Sequence, residues 1–217
     1  MTLLLLPDSP LQLSPAQQRQ SLLWLISQLS YRQGSFTLTS GRQSDYYINC
    51  KPVMLHPQGG FLVGELLLAL LPPETQAVAG MTLGADPLVS AVSLASVYER
   101  GHLHNLPALI VRKQPKGHGT QAWLEGPTLE VGTLIWILED VVTTGGSALQ
   151  AAERVAEAGY RVGGILALVD RQEGGQERYQ AAGLPFRCLL TIEQIRDYTQ
   201  HQAHRDPSGR TEATAVE

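Results

Sequence analysis

The amino-acid sequence predicts an α/β fold in which helices cover both faces of a mainly parallel sheet. Short apolar segments have the length and composition of buried strands, and they cover residues 77–80, 108–111, 134–138, 164–169 and 188–190. Segments with helical patterns alternate with these strands and cover residues 87–98, 147–158, 176–182 and 192–198. Such alternation favours a parallel sheet, and sheets of this kind bind ligands at the carboxyl ends of their strands.

The N-terminal part is predicted to form a helix followed by a hairpin. Ser14 and Pro15 are residue types that start helices, with Ser14 as the N-cap. An apolar stripe of helical spacing follows, and Gly34 is predicted to end this helix. Residues 36–39 and 46–48 have the pattern of two hairpin strands joined by a short turn.

The length of the chain indicates a single domain. Its 217 residues suffice for one well-packed core. We expect this domain over residues 1–200, with a small N-terminal part at about 14–55 and a core at about 56–200. The core begins with a strongly apolar helix over residues 59–71. Residues 201–217 are polar without a periodic apolar face, which predicts a largely disordered tail.

Composition narrows the function classes. The hydrophobic fraction of 43% is typical of a soluble globular protein. A net charge of −4 does not favour non-specific nucleic-acid binding. No membrane span is predicted, and the apolar residues 3–6 are too few for a signal peptide. Cys50 and Cys188 are far apart in sequence and lack metal-ligand spacing, which favours a reduced cytoplasmic protein. A disulfide between the two is the alternative.

The most informative segment runs from the apolar strand at residues 134–138 to Ser147. Glu139 and Asp140 follow the strand directly. Next comes a loop of small residues that leads into a helix, and it consists of Val141, Val142, Thr143, Thr144, Gly145, Gly146 and Ser147. A buried strand, an acidic pair and a glycine-bearing loop therefore meet at one edge of the predicted sheet.

This loop has the features of a phosphate-binding turn. Glycine lacks a Cβ, so its backbone can turn tightly and approach a ligand closely. The first amides of a helix lack internal partners, and together with the helix dipole they attract a phosphate dianion. The loop is not a Walker loop, because no Lys follows the glycines, and it lacks the G-x-G-x-x-G spacing of dinucleotide-binding loops.

The acidic pair Glu139 and Asp140 needs a different partner, because two carboxylates would repel a phosphate. They can accept hydrogen bonds from the 2- and 3-hydroxyls of a ribose, or bind a divalent cation. The alternative is an ordinary solvated pair at a strand end with an ordinary connection to the helix. The neighbouring loop and apolar strand favour a site for a phosphorylated sugar.

A second candidate segment follows the strand at residues 108–111. It is rich in positive charge and in loop-forming glycines, and its charged residues are Arg112, Lys113, Lys116 and His118. The alternative is a solvated basic loop. Because it leaves the same sheet edge as the acidic pair, we expect it to belong to the same site.

Two shorter segments lie at other strand ends. Residues 80–87 join a strand to a helix through a glycine-bearing turn, which suits an anion or is an ordinary turn. Asp86 in this turn is predicted to cap the helix. Arg171 ends another strand and can bind a carboxylate through its two-pronged guanidinium, or else form a surface ion pair with Glu173.

The segment at residues 135–147 resembles the phosphoribosyl-pyrophosphate (PRPP) motif of type I phosphoribosyltransferases. The resemblance implies that Glu139 and Asp140 hold the ribose hydroxyls and that the loop Val141 to Ser147 holds the 5-phosphate. It fixes the sugar donor and leaves open the base that receives the sugar.

The other segments are similar to those of the orotate phosphoribosyltransferases. The pattern R-K-x-x-K-x-H-G resembles the catalytic loop of that family, which closes over pyrophosphate and often reaches a neighbouring subunit. By this resemblance Arg112, Lys113, Lys116 and His118 bind PRPP, and the catalytic residues are Lys113, Lys116, His118 and Asp140. The pattern D-R-x-E-G implies that Arg171 binds the carboxylate of orotate, with Thr143 also reaching it.

The predicted hairpin looks like the hood that covers the base in these enzymes. Tyr46 and Tyr47 could contact the base or simply pack within the hairpin. Many relatives carry Lys where this chain has Thr39, so one base or phosphate contact of the family is in question. Arg42 or Lys51 could compensate.

The resemblance implies a homodimeric transferase that uses Mg²⁺, with no protein ligand assigned to the metal. Its reaction would be transfer of the phosphoribosyl group of PRPP to orotate. One alternative is a purine-class phosphoribosyltransferase, which has no need for the Lys-x-His loop or for Arg171. Another is a regulatory protein that senses PRPP without turnover. Such a protein is expected to carry a nucleic-acid-binding module, and the sequence shows no motif for one.

Overall fold

The structure is a computed structural model that describes residues 3–37, 41, 43–98, 105–115 and 123–205, without the side chains of 203–205. After a short 3-10 helix at Pro10–Gln12, the α-helices are α1 (Pro15–Leu29), α2 (Lys51–Met54), α3 (Pro57–Leu68), α4 (Asp86–Tyr98), α5 (Gly146–Glu157), α6 (Gly175–Ala181) and α7 (Ile192–Arg205). The strands are β1 (Tyr31–Thr37), β2 (Gln43–Ile48), β3 (Ala77–Met81), β4 (Ala108–Val111), β5 (Leu124–Glu125), β6 (Leu134–Val142), β7 (Arg161–Asp170) and β8 (Phe186–Thr191).

The core is a six-stranded sheet with the order β5-β4-β3-β6-β7-β8. The pairings between β4 and β3, β3 and β6, β6 and β7, and β7 and β8 are parallel, whereas β5 runs antiparallel to β4 at the edge. The predicted mainly parallel sheet is confirmed. Chain order reverses beside β3 and β6, so the ends of these two strands flank the crevice in which open α/β sheets bind ligands.

Helices cover both faces of the sheet, as predicted. Val78 and Leu138 belong to a buried apolar cluster with residues of α1, α3 and α4. Ala79 and Ile137, their neighbours along the strands, belong to the cluster on the opposite face, which contains α5 and α6 residues. Successive strand residues point to opposite faces, so near-continuous apolar strands are what a sheet covered on both sides requires.

The N-terminal hairpin has longer strands than the sequence predicted. Ser14 caps α1 as expected, with its hydroxyl accepting from the Gln17 amide while the Gln17 side chain accepts from the Ser14 amide. The sequence predicted that Gly34 ends α1, but the helix ends before it. Gly34 lies inside β1, where the pairing with β2 shifts register between Gln33 and Phe36, because a glycine also suits a strand irregularity.

Two short elements were not predicted. The helix α2 and the two-residue strand β5 are too short to show a periodic pattern. The last helix was predicted to end at Tyr198 but continues to Arg205. The remaining part of the predicted tail, residues 206–217, lies outside the described residues. Within the described ranges, none of the helices combines the length and apolar character needed to cross a membrane.

Candidate active site

The acidic pair lies inside β6 and not beyond its end. The strand was predicted to stop at Leu138, but it pairs with β7 as far as the partners Val142 and Asp170. The ladder of β7 continues past the apolar segment, so backbone hydrogen bonding holds residues of either polarity in the strand. Glu139 and Asp140 are therefore fixed by sheet geometry at the carboxyl end of a central strand.

Glu139 is buried, with 7% of its surface exposed. Its Oε2 atom has no hydrogen-bond partner among the described residues. Burial and the neighbouring Asp140 carboxylate raise the pKa of Glu139 to about 8, while the positive charge of Lys113 lowers it. A buried carboxyl with an unused acceptor oxygen is prepared for a ligand that brings hydrogen-bond donors.

The loop after β6 forms the start of α5. Gly145 is the N-cap residue in the left-handed region, with φ 78°, and no side chain caps this helix terminus. Side chains other than glycine rarely adopt that φ. A cavity of about 80 Å³ opens here, and it is lined by Glu139, Val141, Val142, Thr143, Thr144, Gly145, Gly146, Ser147 and Tyr179. The cavity thus joins the buried acid to the uncapped helix terminus, as the sequence predicted.

The turn after β3 lies against the acidic pair from the neighbouring strand. A Cβ added to Gly84 would lie 2.8 Å from Asp140 Oδ1, so a side chain here would collide with that carboxylate. The Thr82–Leu83 peptide in this turn is cis. The sequence predicted that Asp86 caps α4, and this is wrong. Asp86 is the first residue of that helix and accepts a hydrogen bond from the Thr82 hydroxyl at 2.9 Å.

Only the two ends of the cationic loop are among the described residues. The Arg112 amide donates to the Trp123 carbonyl at 2.8 Å, which holds the two ends together beside β5. The Arg112 guanidinium pairs with Glu125. Lys113 is exposed, and its positive charge lowers the pKa of Glu139. Lys116 and His118 lie outside the described residues.

Arg171 follows β7 at the same edge of the sheet. Its amide donates to the Val142 carbonyl at 2.9 Å, so it lies beside the residue that precedes Thr143. Its guanidinium forms an ion pair with Glu173 at 2.7 Å, and both side chains are largely buried. The ion pair left open by the sequence is therefore present. Because both side chains are largely buried, it is not a solvated surface pair. The guanidinium Nε also donates a hydrogen bond to the Tyr46 hydroxyl at 2.8 Å.

The hairpin reaches the site through Tyr46. The ring of Tyr46 lies between two arginines, with the guanidinium carbons of Arg171 and Arg196 each 4.9 Å from its centroid. Arg196 on α7 also pairs with Asp45 at 2.6 Å. Thr39, where the chain departs from the family, and Arg42, one residue that could compensate, lie outside the described residues.

One neighbour of the site was missed by sequence reasoning. Tyr179 on α6 reaches the cavity, and a tyrosine in an amphipathic helix has the pattern of a core residue. Gly84 belongs to the glycine-bearing turn that the sequence offered as an anion site or an ordinary turn, but its contact with Asp140 has no local signal.

The arrangement gives a phosphorylated sugar three kinds of partner at one sheet edge. Two carboxylates can accept from its hydroxyls, an uncapped helix terminus can hold a phosphate, and cationic side chains lie at the rim. The described residues contain no group of three or more His, Cys, Asp or Glu that could hold a metal ion by itself.

Comparison with known proteins identifies the family. No family model matches the chain. The orotate phosphoribosyltransferase of Nostoc sp. is 54% identical over 182 residues, which is 84% of this chain and 87% of that protein. The orotate phosphoribosyltransferase of Synechocystis sp. is 52% identical over 195 residues, covering 90% and 95%.

A solved structure agrees with these relatives. The Mycobacterium tuberculosis orotate phosphoribosyltransferase in complex with PRPP is 32% identical, with a TM-score of 0.66 over 82% of this chain and 98% of that chain. The sequence identities extend over most of both chains, and the fold agrees. The chain belongs to the orotate phosphoribosyltransferase family.

Proposed function

We propose that the protein transfers the 5-phosphoribosyl group of PRPP to orotate, which yields orotidine 5-monophosphate and pyrophosphate in pyrimidine biosynthesis. Family membership supports this activity. The observation that carries it is the cavity in which the buried Glu139 meets the uncapped start of α5. That pairing suits a ribose with a phosphate on its 5-oxygen.

PRPP is proposed to lie along the carboxyl end of β6. Glu139 and Asp140 accept hydrogen bonds from the ribose hydroxyls, and the loop holds the 5-phosphate through Val141, Val142, Thr143, Thr144, Gly145, Gly146 and Ser147. The cationic residues contact the pyrophosphate, and they are Arg112, Lys113, Lys116 and His118. Gly84 in the turn after β3 lies beside Asp140.

Orotate is proposed to lie between the loop and the hairpin. Its carboxylate would meet the Arg171 guanidinium, and Thr143 would contact the same base. Two-pronged binding of a carboxylate by Arg is geometrically specific. Tyr46 supports this role, since its hydroxyl and ring fix Arg171 before the base arrives.

The chemistry follows from charge. The bond from the anomeric carbon to pyrophosphate breaks as the bond to the orotate nitrogen forms, and the sugar passes through a state with oxocarbenium character. Lys113 and Lys116 would stabilise the negative charge that grows on pyrophosphate, and His118 would donate a hydrogen bond or a proton to it. Glu139 and Asp140 would hold the ribose in place during transfer.

The carboxyl groups of Glu139 and Asp140 suit Mg²⁺ only when the phosphates of PRPP supply further ligands. Mg²⁺ in proteins is often bound by one or two carboxylates plus substrate phosphates, and the described part of the chain offers the pair Glu139 and Asp140 but no larger ligand group. Glu139 would have to release its proton to act as a ligand. When bound, the ion would neutralise part of the charge on the pyrophosphate.

The assembly and location are also proposals. Val97 and Tyr98 lie one helical turn after Leu94 on α4, and the exposed fractions of Leu94, Val97 and Tyr98 are 65%, 57% and 81%. This apolar face supports a homodimer, in which the cationic loop could reach the partner's site. Cys50 and Cys188 are both free thiols, which supports a reducing compartment such as the cytoplasm.

The decisive assay measures pyrophosphate release from PRPP and Mg²⁺ with orotate, adenine or hypoxanthine as the only base. The proposal requires release with orotate and none above background with either purine. Release with a purine alone would assign the chain to purine-class enzymes. PRPP binding without release in all three reactions would indicate a PRPP sensor.

A further inference from the structure

Tyr179 is a buried tyrosine whose ring is held by the core. The whole residue has 0% exposure, and its ring packs against Phe186 with centroids 5.1 Å apart. It belongs to the apolar cluster that also contains Val142, within the proposed phosphate-binding loop, and Ala148, directly after it. The position of its hydroxyl is therefore fixed relative to the loop by close packing.

The hydroxyl of Tyr179 lies against the loop. A Cβ added to Gly145 would lie 2.9 Å from this oxygen, and Tyr179 lines the same cavity as Glu139 and Ser147. The oxygen is inaccessible to solvent and has no hydrogen-bond partner among the described residues. Buried polar atoms almost always have a partner, and a phenol left without one loses the hydrogen bonds that it makes to water in the unfolded chain.

The phenol is a donor at every working pH. Burial raises the pKa of Tyr179 well above its ordinary value, and the carboxylates of Glu139 and Asp170 raise it further. A protonated hydroxyl beside an uncapped helix terminus needs an acceptor, and the uncapped amides of that terminus attract anions. A phosphate satisfies both, because each of its oxygens accepts several hydrogen bonds.

We propose that the Tyr179 hydroxyl donates a hydrogen bond to the 5-phosphate of the phosphorylated sugar and acts as a ligand-binding residue from outside the loop. This inference rests on the proposed function, because it places PRPP in the cavity. It adds a contact from α6 to those of the loop amides and hydroxyls. Substrate binding would then also lock α6 to the start of α5.

The test compares Tyr179→Phe with the wild-type protein. Isothermal titration with PRPP and with ribose 5-phosphate gives the dissociation constants, and thermal unfolding gives Tm without ligand. Loss of a hydrogen bond to a charged group predicts that both ligands bind about tenfold more weakly. Tm without ligand should stay the same or rise, because the removed oxygen has no partner among the residues that the structure describes.

Tyr160→Phe is the matched control. Tyr160 is also a buried tyrosine, but its hydroxyl accepts a hydrogen bond from the Leu129 amide at 3.4 Å, away from the loop. This variant should lose stability while its affinity for both ligands stays at the wild-type value. The control separates the removal of any tyrosine hydroxyl from the removal of the one at the cavity.

Several results would overturn the inference. Equal affinity of Tyr179→Phe and the wild type for PRPP would remove the contact. Weaker PRPP binding with unchanged ribose 5-phosphate binding would place the contact elsewhere on the ligand. A fall in Tm like that of Tyr160→Phe would assign the hydroxyl a structural role. Failure of the wild-type protein to bind PRPP would instead overturn the proposed function, and this inference with it.

Discussion

The Tyr46 hydroxyl accepts a hydrogen bond from Arg171 Nε at 2.8 Å and joins the N-terminal hairpin to the end of β7. The same hydroxyl lies 3.3 Å from Glu173 Oε1, to which it donates. Arg171 is thus held from two sides, by Tyr46 and by its ion pair with Glu173. The residue proposed to recognise the base is oriented by a part of the chain that precedes the sheet.

Tyr46→Phe tests this arrangement. The variant keeps the ring between the two arginines but removes the hydrogen bond to Arg171, so the guanidinium loses one of its constraints. We expect kcat/KM for orotate to fall about tenfold, which corresponds to about 1.4 kcal/mol, while PRPP affinity is unchanged. Steady-state kinetics with each substrate varied in turn measures both.

The control for Tyr46 is Tyr47→Phe in the next position of β2. Tyr47 is 43% exposed, and its ring packs against Phe36. Its kinetics should match the wild type. An unchanged kcat/KM in Tyr46→Phe, or an equal loss in both variants, would contradict a specific role for the hydrogen bond.

Gly145→Ala should damage both stability and PRPP binding. A Cβ here would lie 2.7 Å from the Tyr179 ring and force a side chain into φ 78°. The backbone strain and the collision together should lower the free energy of unfolding by roughly 2–4 kcal/mol. Denaturant titration and PRPP titration would measure the two effects.

Gly183→Ala separates strain from collision. Gly183 also has positive φ, at 71°, but an added Cβ would meet no atom within 4 Å. This variant should lose only about 1 kcal/mol of stability and keep its PRPP affinity. If the two variants behaved alike, close packing of Tyr179 on the loop would not be what requires glycine at position 145.

Glu139 should make the free protein less stable as pH rises. Its pKa of about 8 in the folded protein exceeds the ordinary value of 4.5, so between these values the folded state holds a proton that the unfolded chain has released. The stabilisation of the folded state by this protonated carboxyl is fully present below pH 4.5 and is lost as pH rises through about 8. Glu139→Gln removes this dependence, so its Tm should fall less steeply between pH 5 and 8.

Glu74→Gln is the control for this pH effect, because it changes a carboxylate in an exposed position outside the site. Its Tm should follow the wild-type curve across the same range. A Glu139→Gln curve parallel to the wild type would show that the buried carboxyl is not protonated in the free protein.

Lys113→Ala and Lys116→Ala should each lower kcat by at least about tenfold while the fold stays intact. The removed charge would no longer stabilise pyrophosphate as it departs. Arg161→Ala is a control for loss of an exposed cation, since Arg161 lies at the opposite end of β7 from Arg171. Circular dichroism checks the fold. Wild-type turnover in both lysine variants would remove the loop from the mechanism.

The sheet could be predicted from sequence because its central strands β3, β6 and β7 are mostly buried on both faces. Strands such as β4 consist of apolar residues, and their limits are clear from composition. The end of β6 could not be predicted, since Glu139 and Asp140 have the polarity of a strand end. Their place in the strand depends on pairing with β7, and functional residues commonly break the local pattern in this way.

The loop of the candidate site was predictable because its residues are adjacent in sequence. Acids, glycines and hydroxyls from Glu139 to Ser147 all come from one strand–loop–helix segment. Contacts between distant segments were not predictable. Tyr179 and Gly145 meet only because α6 folds back onto the loop, and Tyr46 reaches Arg171 only because the hairpin lies against β7.

A crystal structure of the protein with PRPP tests the central claim most directly. We predict that the ribose hydroxyls lie within hydrogen-bond distance of Glu139 and Asp140. The 5-phosphate should contact the amides of Gly146 and Ser147. A ligand bound elsewhere, away from residues 139–147, would contradict the account.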